Sequence, residues 1–187
     1  MGSLEPLEQE LQAQLKQIIK SSEWYCTLAS IHGLELPDCW LAGGAVRNTV
    51  WKALFGADCR LTIKDLDVVF FDPDSGRDRE MQARQLLEKY HPGWKFDVKN
   101  QASFGVWRPW AFTFTDTVDG IAHFLHTATA NGVRLNDDDT LEICSPYGLN
   151  DLFAGIIRTT PFRHGDDAVK AKQNEYLSKC PPLLLCT

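Results

Sequence analysis

Apolar residues recur at helical steps from the start of the chain. Leu4, Leu7, Leu11, Leu15 and Ile18 form one stripe, the pattern of an amphipathic helix. Ser21 and Ser22 stand as caps for a second helix that opens at Glu23-Trp24-Tyr25 and runs to about Ile31, before Gly33 and Pro37. A short apolar run at 39–42 reads as a buried strand. Gly43-Gly44 breaks it, and Val46, Val50, Trp51, Leu54 and Phe55 return at helical spacing until Gly56. The unit is strand, glycine turn, helix. A second apolar strand is predicted over 66–71, closed by Asp72-Pro73-Asp74-Ser75-Gly76. An amphipathic helix follows over 77–90, with Met81, Leu86, Leu87 and Tyr90 inward, and then a half-exposed alternating strand over 94–99. Residues 100–115 are rich in aromatics and show no single period. Beyond them the pattern predicts a helix over 116–125 started by Thr115 or Asp116, and a hairpin of 133–135 with 141–144 across the polar turn 136–139. Helices over 149–157 and 166–177 complete the reading. Short alternating helices and strands imply a mixed α/β (α+β) domain, a small mixed sheet flanked by helices. For 187 residues this is one domain: N-terminal helices over 1–36, a core over 37–160, and a C-terminal helix and tail over 161–187.

Composition narrows the classes. At 44% hydrophobic and 24% charged residues the chain can bury a proper core. Its net charge of -6 argues against a general nucleic-acid binder, whose partner is held mainly by Lys and Arg. The cysteines Cys26, Cys39, Cys59, Cys144, Cys180 and Cys186 form no C-x-x-C pair. They read as free thiols of a reducing cytoplasm, not as a zinc site. The N-terminus lacks the apolar core of a secretory signal, and no apolar run is long enough to span a membrane. The expectation is a soluble cytoplasmic protein without a membrane partner, its tail 181–187 packed on the surface or frayed.

Candidate chemistry starts at Asp65 and Asp67, two positions apart at the opening of an apolar strand. Side chains at i and i+2 share a face, so both carboxylates point one way. Held together beside a core, they repel unless a cation sits between them. Mg²⁺ suits such a pair, with Mn²⁺ as an alternative, because it takes carboxylate oxygens and keeps positions for phosphates. Asp97 lies in the next predicted strand, flanked by Phe96 and Val98. If that strand lies beside the first, three acids converge in a form that supports two metals. An isolated Asp-x-Asp is more often a capped or solvated strand start; the glycine turn, the apolar strand and the third acid together shift the balance. Gly43-Gly44 lets the backbone approach a ligand closely at a helix N-terminus, where amides favour anions. A plain tight turn is the bland alternative. It is neither a Walker A loop nor a dinucleotide fingerprint.

Leu-Ala-Gly43-Gly44-Ala-Val-Arg47-Asn48, followed by Lys64-Asp65-Leu-Asp67-Val-Val, resembles the polymerase-beta-like nucleotidyltransferases. The same elements occur in tRNA CCA-adding enzymes. Over residues 40–160 the chain is similar to a family of small bacterial and fungal nucleotidyltransferase-like proteins. The segments 96–102, 127–135 and 145–153 carry that similarity onward. The resemblance implies a nucleotidyltransferase fold with Asp65, Asp67 and Asp97 as metal ligands, Asp97 also a possible base. It further implies Gly43 and Gly44 on the triphosphate, with Arg47 and Lys64 near it. Asn48 stands where CCA-adding enzymes have an acid, which weakens the link to tRNA.

Other features are weaker. Lys52 and Arg60 read as solvated charge, while Lys99 could neutralise a phosphate. Phe104, Trp107, Trp110, Phe112 and Phe114 could stack a base, but core packing is the commoner role. His123 and His126 lack a third metal ligand and read as ordinary. Thr127 and Thr129 could line the cleft. The expected activity is metal-dependent transfer of a nucleoside monophosphate from an NTP to a hydroxyl of a small molecule or protein, releasing pyrophosphate. A long nucleic acid is not the expected partner. The alternatives are a catalytically silent nucleotide-binding module or a metal-dependent phosphohydrolase.

Overall fold

Trp40–Ala42 (β1), three residues buried on both faces, is the centre of a five-stranded sheet in a computed structural model that describes residues 5–103, 113–163 and 167–186. On one side β1 pairs antiparallel with Leu66–Phe70 (β2), which pairs parallel with Phe96–Asn100 (β3) through the crossover helix Arg77–Tyr90 (α4). On the other side it pairs antiparallel with Gly132–Leu135 (β4), itself hairpinned to Leu141–Cys144 (β5). The hairpin is as the sequence pattern predicts. Among the described residues the remaining helices are Glu5–Lys20 (α1), Thr27–His32 (α2), Gly44–Phe55 (α3), Thr117–Ala122 (α5), Asn150–Phe153 (α6) and Asp167–Lys179 (α7).

The strands are apolar because both faces of the sheet are covered. Leu41, Leu66, Val68 and Phe70 join the main core with Leu15, Ile19, Trp24, Val50 and Trp51. Trp40, Ala42 and Val69 alternate to the opposite face, where they meet Ile121, Ala130 and Cys144. Period-two alternation puts Asp67 on that second face. Register places Asp97 directly beside it.

Several expectations are corrected. The α1 stripe runs through Leu11, Leu15 and Ile19, with Leu7 exposed and Ile18 only partly buried, because four-residue steps face the core there. Ser21 and Ser22 do not cap a new helix at Glu23. Their hydroxyls donate back to the carbonyls of Gln17 and Ile19 and finish α1, and α2 begins at Thr27. On α4 the inward residues are Ala83 and Leu87, whereas Met81, Leu86 and Tyr90 are exposed. The helix expected over 149–157 is a single turn: Gly155, at φ +66°, ends it, and Ile156–Arg158 (β6) turns into strand. That strand pairs parallel with Leu184–Cys186 (β7), so the tail is a sheet edge and not a frayed end. Cys59 and Cys180, 121 positions apart, form a disulfide, which the free-thiol reading missed because only the fold brings them together. Asp116 does cap α5, accepting from the Asp119 amide at 2.8 Å. Among the described residues no helix is long and apolar enough to cross a membrane.

Candidate functional site

The turn after β1 explains why the sequence needs glycine there. Gly43 holds φ +76°, and a Cβ on it would sit 3.0 Å from the Asp67 Oδ2. Its amide donates to the Asn131 carbonyl at 3.0 Å. Asn131 is buried and itself tied down: its side chain donates to the carbonyls of Thr127 and Ala128 and accepts from the Ser145 hydroxyl. The 127–131 segment, which leads into the neighbouring strand β4, thus buttresses the glycine turn. Gly44 opens α3, and its backbone N–H lies near enough the Asp67 carboxylate to favour the charged form. A Cβ at Gly44 would meet only the Arg47 Nη2, at 3.8 Å.

A cleft of about 440 Å³ opens at this turn, and all seven residues singled out in the sequence line it: Gly43, Gly44, Arg47, Lys64, Asp65, Asp67 and Asp97. Their roles differ. Asp65 precedes β2 and is exposed, while Asp67 is half-buried. Burial, then the charges of Asp65 and Asp97, push the Asp67 carboxyl up to about 6, against the lowering effect of the Gly44 amide and Arg47. Asp67 therefore feels the charge of both neighbouring acids. They do not form a closed cage: among the described residues no three His, Cys, Asp or Glu side chains converge closely enough to hold a metal by themselves. Asp97 is instead paired with Lys99, Nζ to Oδ1 at 2.8 Å.

Arg47 is more committed than its motif suggests. Its guanidinium is buried and donates to the Asn48 Oδ1, to the Thr129 hydroxyl at 2.6 Å and to the Tyr176 hydroxyl at 2.8 Å. It also lies 4.2 Å from the Tyr176 ring centroid. Burial lowers its pKa, and Tyr176 opposes that. Asn48 in turn donates to the Thr62 carbonyl at 2.9 Å, fixing the loop that leads to Asp65. Lys64 pairs with Glu175 at 3.3 Å.

The sequence reading missed the contribution of α7. Lys172, Glu175, Tyr176 and Lys179 all line the cleft. Spaced by three and four, they share one helical face, but a charged stripe on a helix reads as solvated surface until the opposing wall is known. Phe114 is buried and lines the cleft with His123 and Phe124. The His123 ring stacks on Phe162 with centroids 3.7 Å apart. Thr129 lines the cleft, whereas Thr127 is buried and donates to Asp151 at 2.7 Å. Phe104, Trp107, Trp110 and Phe112 lie outside the described residues.

A mixed sheet with a glycine turn leading into a helix, and acids on the two adjoining strands, defines the nucleotidyltransferase head fold. The chain belongs to a nucleotidyltransferase family, whose model matches residues 29–185. It is similar to a protein whose NMR structure reveals a CCA-adding enzyme head domain, at 28% identity and TM-score 0.76, covering 94% of this chain and 95% of that one. Two further structures share the fold. The Thermotoga maritima CCA-adding enzyme complexed with tRNA is 13% identical (TM-score 0.53, 80% of this chain). A tRNA-processing enzyme is 16% identical (TM-score 0.55, 86% of this chain). The chain spans 35% and 44% of those two longer proteins. No curated protein is significantly similar in sequence.

Proposed function

We propose that this chain transfers a nucleoside monophosphate from an NTP to a hydroxyl of a small molecule or protein side chain. The observation that carries the reading is the half-buried Asp67, pressed between Asp65 and Asp97 at the mouth of the Gly43 turn. Such a site is electrostatically unfavourable alone and becomes favourable once a cation and its phosphates enter. The donor set fits Mg²⁺ (or Mn²⁺): carboxylate oxygens from neighbouring strands, open to one cleft. Mg²⁺ is commonly held by one or two carboxylates together with water and substrate phosphates, so an all-protein cage is not required. Asp65 and Asp67 would hold it, with Asp97, paired with Lys99, beside them. Bound there, it neutralises triphosphate charge and steadies the leaving pyrophosphate.

The chain's own residues do the rest. Gly43 lets the backbone approach the donor without a side chain in the way, and the start of α3 presents amides toward its phosphates. The acceptor hydroxyl oxygen attacks the α-phosphorus, the α–β phosphoanhydride bond breaks, and pyrophosphate leaves. Asp97 accepts the hydroxyl proton once Lys99 exchanges from it to phosphate oxygen. Catalysis is positioning and charge neutralisation. A cleft of about 440 Å³ is in the range of small-ligand sites, which favours a compact acceptor.

The test is pyrophosphate release from each NTP with pooled hydroxyl metabolites, peptides or a tRNA pool, comparing wild type with Asp67→Asn. Release above background by wild type, lost in the variant, is the expected result. Equal signal from both proteins sinks the chemistry. Release of inorganic phosphate without an NTP donor would point to hydrolysis, and turnover only with tRNA would overturn the compact acceptor.

A further inference from the structure

Besides the acids, the cleft carries a second charged group, of which only Lys64 belongs to the motifs read in the sequence. The Glu175 carboxylate holds three ammonium groups: Lys179 at 2.8 Å and Lys64 at 3.3 Å on Oε1, and Lys172 at 2.9 Å on Oε2. These come from two separate walls, Lys64 from the loop before β2 and the other two from α7. Three cations around one anion leave a local excess of positive charge. Each lysine is 40–64% exposed, so each ammonium keeps hydrogen-bonding capacity for a ligand. Glu175 itself is held down to about 2, first by its bond from Lys179 and then by that from Lys172. It stays ionised and organises the three lysines across the working pH range.

The motif arginine is meanwhile engaged elsewhere. Arg47 spends its donors on Asn48, Thr129 and Tyr176. The cleft therefore holds acids that call for a cation and, around Glu175, an excess of ammonium groups that calls for an anion. We propose that Lys64, Lys172 and Lys179, positioned by Glu175, form the subsite for the β- and γ-phosphates of the donor, so that α7 is part of the nucleotide site. Lysine suits this task as a mobile point charge that can move from carboxylate to phosphate oxygen. The inference rests on the nucleotidyl-transfer reading for the donor's identity, and on the lysine geometry for its location.

The test is calorimetric titration of the full chain with inorganic tripolyphosphate and, separately, with Mg²⁺-ATP. Wild type is compared with Lys172→Gln/Lys179→Gln, with the charge-preserving Lys172→Arg/Lys179→Arg, and with Lys52→Gln as an equal-sign control outside this cleft. Circular dichroism confirms that each variant is folded. Expected is a loss of about tenfold or more in affinity for both ligands in the double glutamine variant, shrinking at high salt. The arginine variant should retain most of the affinity, and the Lys52 variant all of it. Wild-type binding that the double glutamine variant matches would overturn the lysine subsite and leave the nucleotidyl-transfer reading intact. Binding of tripolyphosphate but not of Mg²⁺-ATP would keep the anion subsite and remove its assignment to a nucleotide. Binding of neither would overturn both.

Discussion

Gly43 and Gly44 look equivalent in the sequence and are not equivalent in space. At Gly43 a side chain meets a positive φ and the Asp67 carboxylate at once. Gly43→Ala is expected to cost about 1–3 kcal/mol from backbone strain and to displace Asp67, abolishing pyrophosphate release. Gly44→Ala, with only the Arg47 guanidinium nearby, should change stability little; comparing the two by urea unfolding and the release assay checks the asymmetry. His126 makes a second residue-scale case. It is buried, and neither ring nitrogen has a hydrogen-bond partner. Burial, then Arg47, lowers its pKa to about 4. The unfolded chain therefore binds a proton at this position between about pH 6.5 and 4 that the folded chain does not. Stability should fall as pH drops through that window, by up to about 3 kcal/mol from this group. His126→Leu should be more stable than wild type at pH 4.5, with a smaller difference at pH 7.5. Thermal melts of the two across that range would contradict this if the difference did not grow with acid.

Among elements, the joint between α3 and α7 governs the cleft. Arg47 reaches across to the Tyr176 hydroxyl, while Trp51 lies edge-on to the same ring with centroids 5.9 Å apart. Behind them, the Arg60 amide donates to the Lys179 carbonyl at 2.7 Å, beside the Cys59–Cys180 bond. Tyr176→Phe keeps the ring but removes the acceptor from a buried, charged donor. It should cost about 1.5–3 kcal/mol, read as a lower urea midpoint with unchanged slope. Much at this scale could be read from the sequence. Strand, glycine turn and helix at 39–56 follow from apolar runs and Gly, and Asp116 as a cap follows from its place before a helical pattern. Ile156–Arg158 could not be read so, because a short apolar run fits a buried helix or strand alike until its partner, Leu184–Cys186, is in place.

For the whole molecule, the acids carry an electrostatic load in the absence of metal. Above about pH 6 Asp67 is ionised beside Asp65 and Asp97. Its folded pKa lies above its unfolded value, so the favourable contribution present below about pH 4 is lost as pH rises through 6. In EDTA at pH 8, Asp67→Asn should raise the melting temperature, by about 2 kcal/mol of stability, and the gain should vanish near pH 4. A variant no more stable than wild type under those conditions would show that solvent already relieves the repulsion.

The local pattern by itself determined the order of helices and strands around the site, the glycine turn, and the two acids before and within β2. It could do so because backbone propensity, side-chain period and turn chemistry act over a few residues. Asp97 was legible as a candidate, yet its place beside Asp67 depended on β3 pairing parallel and in register with β2. What only the tertiary structure decided comes from residues far apart in the chain. Arg47 is held by Tyr176, Cys59 is joined to Cys180, and a charged stripe on α7 faces the cleft instead of water. Side-chain type states what a residue can bond; packing decides which partner, over a hundred positions away, it meets.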